Sequence, residues 1–212
     1  MYIFKILRII RDRIYSLELD RWCDAMELTS ALLELEALKN KPRKEVMLTT
    51  ASIITKRLEV KEIYPIIVGG LAVEIYTQSE YSTRNINFVA KEIEEVEKTL
   101  MELEFLKTEE QFYRKDIEMT VQIPDTKLTG SEKKVQILQI EYDTYIYVIA
   151  VEDIILDRLT SAVYEHSEQA AKWGKRMLSK NTMRIDQAYL FDHVQDDKEK
   201  QTLQSWLEKT TK

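Results

Sequence analysis

Cysteine is nearly missing from these 212 residues: Cys23 stands alone, which excludes an internal disulfide and any multi-cysteine metal site and fits a reducing cytoplasm. Cys23 is expected to be a small helix-packing residue. The two histidines, His166 and His193, have no cysteine or histidine partner at metal-ligand spacing, so neither is assigned to a metal. With only 4 glycines and 3 prolines, long helices and few tight turns are expected, and the adjacent pair Gly69–Gly70 stands out. Basic residues do not dominate: 31 Lys and Arg against 37 Asp and Glu give a net charge of −6, so an RNA partner has no support from net charge. No apolar run has membrane or signal length. The stretch "MYIFKILRIIRDRIYSLEL" spaces Ile3, Ile6, Leu7, Ile10, Ile14 and Leu17 helically, but Lys5, Arg8, Arg11, Asp12 and Arg13 interrupt it. An amphipathic helix packed on the domain or a partner is expected there, and no membrane attachment. No Walker-type lysine follows the glycines, and no serine or cysteine lies in a nucleophile context.

What is present divides into three parts. Residues 1–60 are expected to be helical, with Met26, Ala31, Leu32, Leu35 and Leu38 lining one face. A break falls at Lys41–Pro42, and a further amphipathic helix runs through Val46, Leu48, Ile53, Ile54 and Leu58. Residues 61–150 alternate. "IYPIIVGG" reads as a buried strand ending in glycine, "LAVEIYTQ" as a helix and "NINFVA" as a strand. "KEIEEVEKTLMELEF" is helical; "FYRKDIEMTVQIP" and "KVQILQIEYDTYIYVIA" supply further strands. Residues 151–212 return to helix, with Trp173 and Trp206, like Trp22 earlier, read as packing residues. The order predicts an α/β fold: a small mixed sheet flanked by N-terminal and C-terminal helical lobes packed against it.

A strand that ends in Gly69–Gly70 and enters a helix lets backbone approach a phosphate closely. On the next strand Asn85 and Asn87 share a face, because side chains two residues apart point the same way. Together "VGGLAVEIYTQSEYSTRNINFV" resembles the signature of polymerase-beta-type nucleotidyltransferases, in which a glycine turn and a helix precede Asp-x-Asp on a strand. The similarity is to small prokaryotic stand-alone members, including antitoxin-like and toxin-like ones. It extends to "LEFLKTEEQFYRKDIEMTVQIPDTKLTG", to "YVIAVEDIILDRLTSAVY" and to "QAAKWGKRMLSKNTMRIDQAYL", covering roughly residues 50–192.

The resemblance implies a nucleotidyltransferase-type core and, in active members, three carboxylates holding two metal ions. Here Asn85 and Asn87 stand at both Asp positions, and Gln122 in "VQIP" aligns with the third carboxylate. An amide brings no negative charge and cannot act as a base. The expectation is therefore a catalytically inactive or impaired protein with a residual nucleotide cleft, no strongly bound cofactor, and magnesium only if activity survives. Glu118, four residues before Gln122, is the nearest replacement carboxylate on that strand, with Asp116 further along. Natural divergence and deliberate inactivation both fit three isosteric replacements; Leu71, where a small polar residue is common, favours divergence.

The other expected nucleotide-binding residues are Gly69, Gly70, Thr83 and Arg84, with Lys172 and Arg176 from the basic helical set Lys172, Lys175, Arg176 and Lys180. Each has a structural alternative, a solvated loop or helix face. Glu74 is expected to be an exposed helical glutamate, and Asp157–Arg158 a polar pair tying the C-terminal lobe to the sheet. Two other readings stay open: an active, metal-dependent enzyme modifying protein or RNA, in a toxin–antitoxin pair or outside one, and a non-enzymatic module that binds a protein partner.

Overall fold

Burial decides which of the expected helices pack, and how. The computed structural model describes Leu19 and residues 21–210; the expected amphipathic helix through Ile3 and Leu17 lies outside them. Helix α1 spans residues 21–36 and buries Ala31 and Leu35, with Leu38 just beyond its end. Met26 does not join that face. It is 69% exposed, Trp22 is 71% exposed and Cys23 is exposed too, so none of the three packs as expected. Proline at 42 suits the start of α2 (Arg43–Glu59), since its fixed φ matches the −54° found there and it has no amide hydrogen to satisfy.

Helix α2 is buried nearly all round, through Val46, Met47, Thr50, Ala51, Ile54 and Leu58, the pattern of a helix enclosed by other elements. It lies against the sheet on one side. On another, the buried Arg57 reaches Asp24 of α1 at 2.8 Å and Glu102 at 3.7 Å.

Next come β1 (Ile66–Val68), α3 (Gly69–Tyr76), β2 (Asn85–Val89), α4 (Ile93–Glu102), β3 (Leu106–Lys107), β4 (Phe112–Arg114) and β5 (Met119–Asp125). The hairpin β6 (Gln136–Glu141) and β7 (Thr144–Val148) completes the sheet. The seven strands lie in the order β3-β4-β5-β2-β1-β7-β6. Strand β1 pairs antiparallel with β2 and parallel with β7, and β2 pairs parallel with β5. The sheet is mixed, as expected. Ile67, Ile86, Phe88, Ile146 and Val148 are buried on its core side. One edge strand, β3, has two residues; the other, β6, has six, with Ile137 and Leu138 exposed.

Turns divide two stretches of the chain. "FYRKDIEMTVQIP" forms β4 and β5 with a 3-10 turn between them (Lys115–Ile117), and Glu118 takes a left-handed φ of 50°. The long C-terminal helix breaks at His166, φ 54°, giving α5 (Val151–Tyr164) and α6 (Glu168–Lys180). The Ser167 hydroxyl caps α6 by accepting from the Ala170 amide, which makes the break a favourable helix start. Helices α7 (Gln187–Asp192) and α8 (Asp197–Thr210) follow. No described helix is long and apolar enough to cross a membrane.

Helices α6 and α8 approach closely at Gly174, where an added Cβ would lie 2.3 Å from Cζ3 of the buried Trp206 ring. Gly174→Ala is therefore expected to overpack the contact and lower stability by about 1–3 kcal/mol in chemical denaturation, although alanine is the better helix former.

Candidate functional site

Strand β1 passes directly into α3 at Gly69, whose φ of +60° is a conformation that other residues rarely take. A Cβ there would lie 3.2 Å from Asn87 Nδ2. At Gly70 it would meet Thr83 Oγ1 at 2.6 Å and Thr83 Cβ at 3.0 Å. Gly69 is required by its positive φ and sits close to Asn87 of β2, whereas Gly70 is required by close approach to Thr83 in the loop that leads into β2.

Strand register assembles the three amides. Val68 pairs with Asn87, and Asn87 with Gln122, across β1, β2 and β5. Asn85 Nδ2 donates to Gln122 Oε1 at 3.4 Å. Asn87 Oδ1 is buried and, among the described residues, has no hydrogen-bond partner. A buried acceptor left unpaired costs about 1–3 kcal/mol.

The replacement carboxylates do not reach this group. Glu118 precedes β5 in left-handed conformation, outside the strand, so the two-residue alternation that would align it with Gln122 does not extend to it. Asp116 is bonded to the buried Arg114 guanidinium at 2.9 Å, and its carboxyl titrates below the ordinary range despite partial burial because of that contact and the nearby Lys39. Nor does the donor set suit divalent ions. Three neutral amides offer oxygen without charge, and among the described residues no group of three or more His, Cys, Asp or Glu side chains is placed to hold a metal.

Two positioning residues escaped the sequence reading. Glu74 is buried, not exposed, and its carboxylate accepts from the Thr83 amide at 2.9 Å, closing the 77–84 loop over the start of α3. Arg43, at the start of α2, donates to the backbone carbonyls of Arg84 and, at 3.1 Å, Glu118. One guanidinium thereby ties the residues just before β2 and β5. Arg84 is held through its backbone while its side chain stays exposed.

Lys172 and Arg176 belong to a separate place. They line a recess of about 630 Å³ on α6 with Lys175, Ser179 and Trp206. It connects to the glycine turn through the loop: Glu80 binds Arg176 and, at 2.9 Å, Lys180, while Tyr81 meets Trp173 edge-on at 5.1 Å. Lys172 lies 4.7 Å over the Trp173 ring. The structure therefore groups Gly69, Gly70, Thr83, Asn85, Asn87 and Gln122, and sets Lys172 and Arg176 apart.

The lobe is tied to the core by other residues than expected. Arg158 bonds its own neighbour Asp157. The buried pair Glu152 and Asp153 makes the connections instead. Across to the core, Asp153 accepts from the Ser131 amide at 2.9 Å and Glu152 lies 3.8 Å from the Lys134 ammonium; within the lobe, Glu152 accepts from the Asp186 amide at 2.9 Å and Asp153 from the Tyr189 hydroxyl at 2.7 Å.

No family model matches the sequence, and no curated protein matches it significantly. Among solved structures, an antigenic nucleotidyltransferase-like protein from Paracoccidioides brasiliensis superposes with a TM-score of 0.58. The match covers 79% of this chain and 88% of that one, at 13% sequence identity. The fold is nucleotidyltransferase-like. At that identity the likeness is one of architecture, and the chemistry has to come from this chain's own residues.

The Glu80 contact generates a pH signature. Arg176 and Lys180 lower its carboxyl from 4.5 to about 2. A depressed folded-state value means that its stabilising effect is full above the unfolded value and fades as pH falls through the folded one. The stability difference between the protein and Glu80→Gln is therefore expected to be constant above pH ~5 and to vanish towards pH ~2 in urea titrations at a series of pH values.

Proposed function

We propose that this chain binds a nucleotide beside the Gly69–Gly70 turn and does not catalyse its transfer. The observation that carries the proposal is the contiguous row Asn85, Gln122 and Asn87 next to that turn, with no carboxylate among them. Carboxylates in these places would repel a polyphosphate unless metal ions bridged the two. Amides remove the repulsion, and their N–H groups donate to phosphate oxygen directly. They also remove the charge that two divalent ions need, several kcal/mol at ~4 kcal/mol per close charge pair at intermediate dielectric. The same replacement thus favours metal-free phosphate binding and disfavours two-metal catalysis.

Calorimetric titration with ATP, GTP, CTP and UTP, each with and without magnesium, tests this. Weak binding that ignores magnesium, with no transfer of labelled nucleotide, is expected. Magnesium-dependent tight binding with label transfer would instead establish an enzyme, and no binding of any of the four an interaction module.

Restoring charge gives a second test. The variant carrying Asn85→Asp, Asn87→Asp and Gln122→Glu should bind the same nucleotide about tenfold more weakly without magnesium and gain magnesium dependence, since ~1.4 kcal/mol is a factor of ten. Equal metal-free affinity in the two proteins would count against the amides as phosphate donors.

A further inference from the structure

A cavity of about 560 Å³ opens on the same face of the sheet as the amide row, beyond its far end. Val89, Ile66, Tyr147 and Ile137 are successive cross-strand partners over β2, β1, β7 and β6, and all four line it. Val89 lies two residues along β2 from Asn87, about 7 Å at the rise of a strand. The volume falls within the range of small-molecule sites.

The walls and the rim differ in chemistry. Tyr64 and Tyr147 meet edge to face, centroids 5.7 Å apart, and form an aromatic corner. Tyr147 donates its hydroxyl proton to Glu59. Burial and that hydrogen bond hold the phenol proton above its ordinary range, so the ring remains neutral and electron-rich. Around the mouth stand three carboxylates, Glu62, Glu92 and Glu132, and one ammonium, Lys91. Lys91 is spent on Glu132 at 3.2 Å, and among the described residues no cation pairs with Glu62 or Glu92. An apolar and aromatic pocket under an unneutralised acidic rim repels phosphate and attracts a positive charge attached to an apolar body.

We propose that this cavity is a binding site for an organic cation with an apolar or aromatic body, an arylalkylamine being the simplest case. The cation sits between the rim carboxylates and the faces of Tyr64 and Tyr147, and the body rests on Ile66, Val89 and Ile137. The proposal stands independently of any nucleotide at the glycine turn.

Three probes of similar reach test it on the full chain: phenethylammonium, its anionic counterpart phenylacetate, and neutral adenosine, followed by ligand-observed NMR and calorimetry. Saturable binding of phenethylammonium is expected, weakened by salt and about tenfold or more tighter than either of the others, the ratio that ~1.4 kcal/mol of charge discrimination gives. The exposed double variant Glu62→Gln/Glu92→Gln should abolish the preference over phenylacetate with the melting temperature unchanged. Val135→Trp, which fills the cavity from its wall, should block binding. The proposal is overturned if adenosine or phenylacetate binds as well as the ammonium, if none of the three binds, or if the double variant keeps the preference. Undiminished ammonium binding by a folded Val135→Trp protein overturns it as well; should that variant unfold, the glutamine pair decides.

Discussion

Everything at the candidate site depends on β2 being hydrogen-bonded between β1 and β5 in one particular register. A one-residue slip would turn Asn85 and Asn87 into the core and bring Ile86 and Phe88 to the open face. Ile86 and Phe88, both wholly buried, resist that slip with their full transfer free energy, about 1.5–3 kcal/mol each. The amides are thus held in place by hydrophobic residues that alternate with them. The two glycines complete the constraint from the side, Gly69 through its left-handed backbone beside Asn87 and Gly70 through its close approach to Thr83.

That rigidity gives the amide replacements their meaning. In a loose site a missing charge would be offset by movement of a neighbouring acid. Here the neighbours are committed: Asp116 to Arg114, Glu74 to the Thr83 amide, Glu118 to a position outside its strand. The electrostatics of the row is consequently fixed by the three side chains themselves. A neutral row next to a helix start tolerates an anion on its own, whereas an anionic row would require cations to mediate.

Period-two alternation in "NINFV", the glycine turn and the strand content of residues 61–150 were legible in the sequence because each is local. That Gln122 belongs with Asn85 and Asn87 was implied only by the resemblance to nucleotidyltransferases; the pairing of Asn87 with Gln122 across β2 and β5 is what brings them together. What escaped was set by partners distant in the chain. Glu74 looks like any helical glutamate until Thr83, nine residues on, folds back to it. The importance of Arg43 lies in two carbonyls, 41 and 75 residues away. In "EDIILDRL" the pair that ties the lobe is Glu152–Asp153 and not Asp157–Arg158, a choice made by Ser131 and Lys134. Spacing also overcounted the packing face of α1, because amphipathic periodicity marks which residues are apolar and not how many of them find cover. Met26 and Trp22 are apolar and uncovered.

The two borders of the sheet are unequal, and this has a consequence for any lateral growth. At the β3 border two residues offer too few free amide and carbonyl groups to template a further strand. At the β6 border, among the described residues, a six-residue strand has no partner along its outer side, and Ile137 and Leu138 are exposed. Extension of this sheet by another polypeptide is therefore directional: it has one permissive flank, next to the Tyr147 wall, and one flank that is closed by brevity.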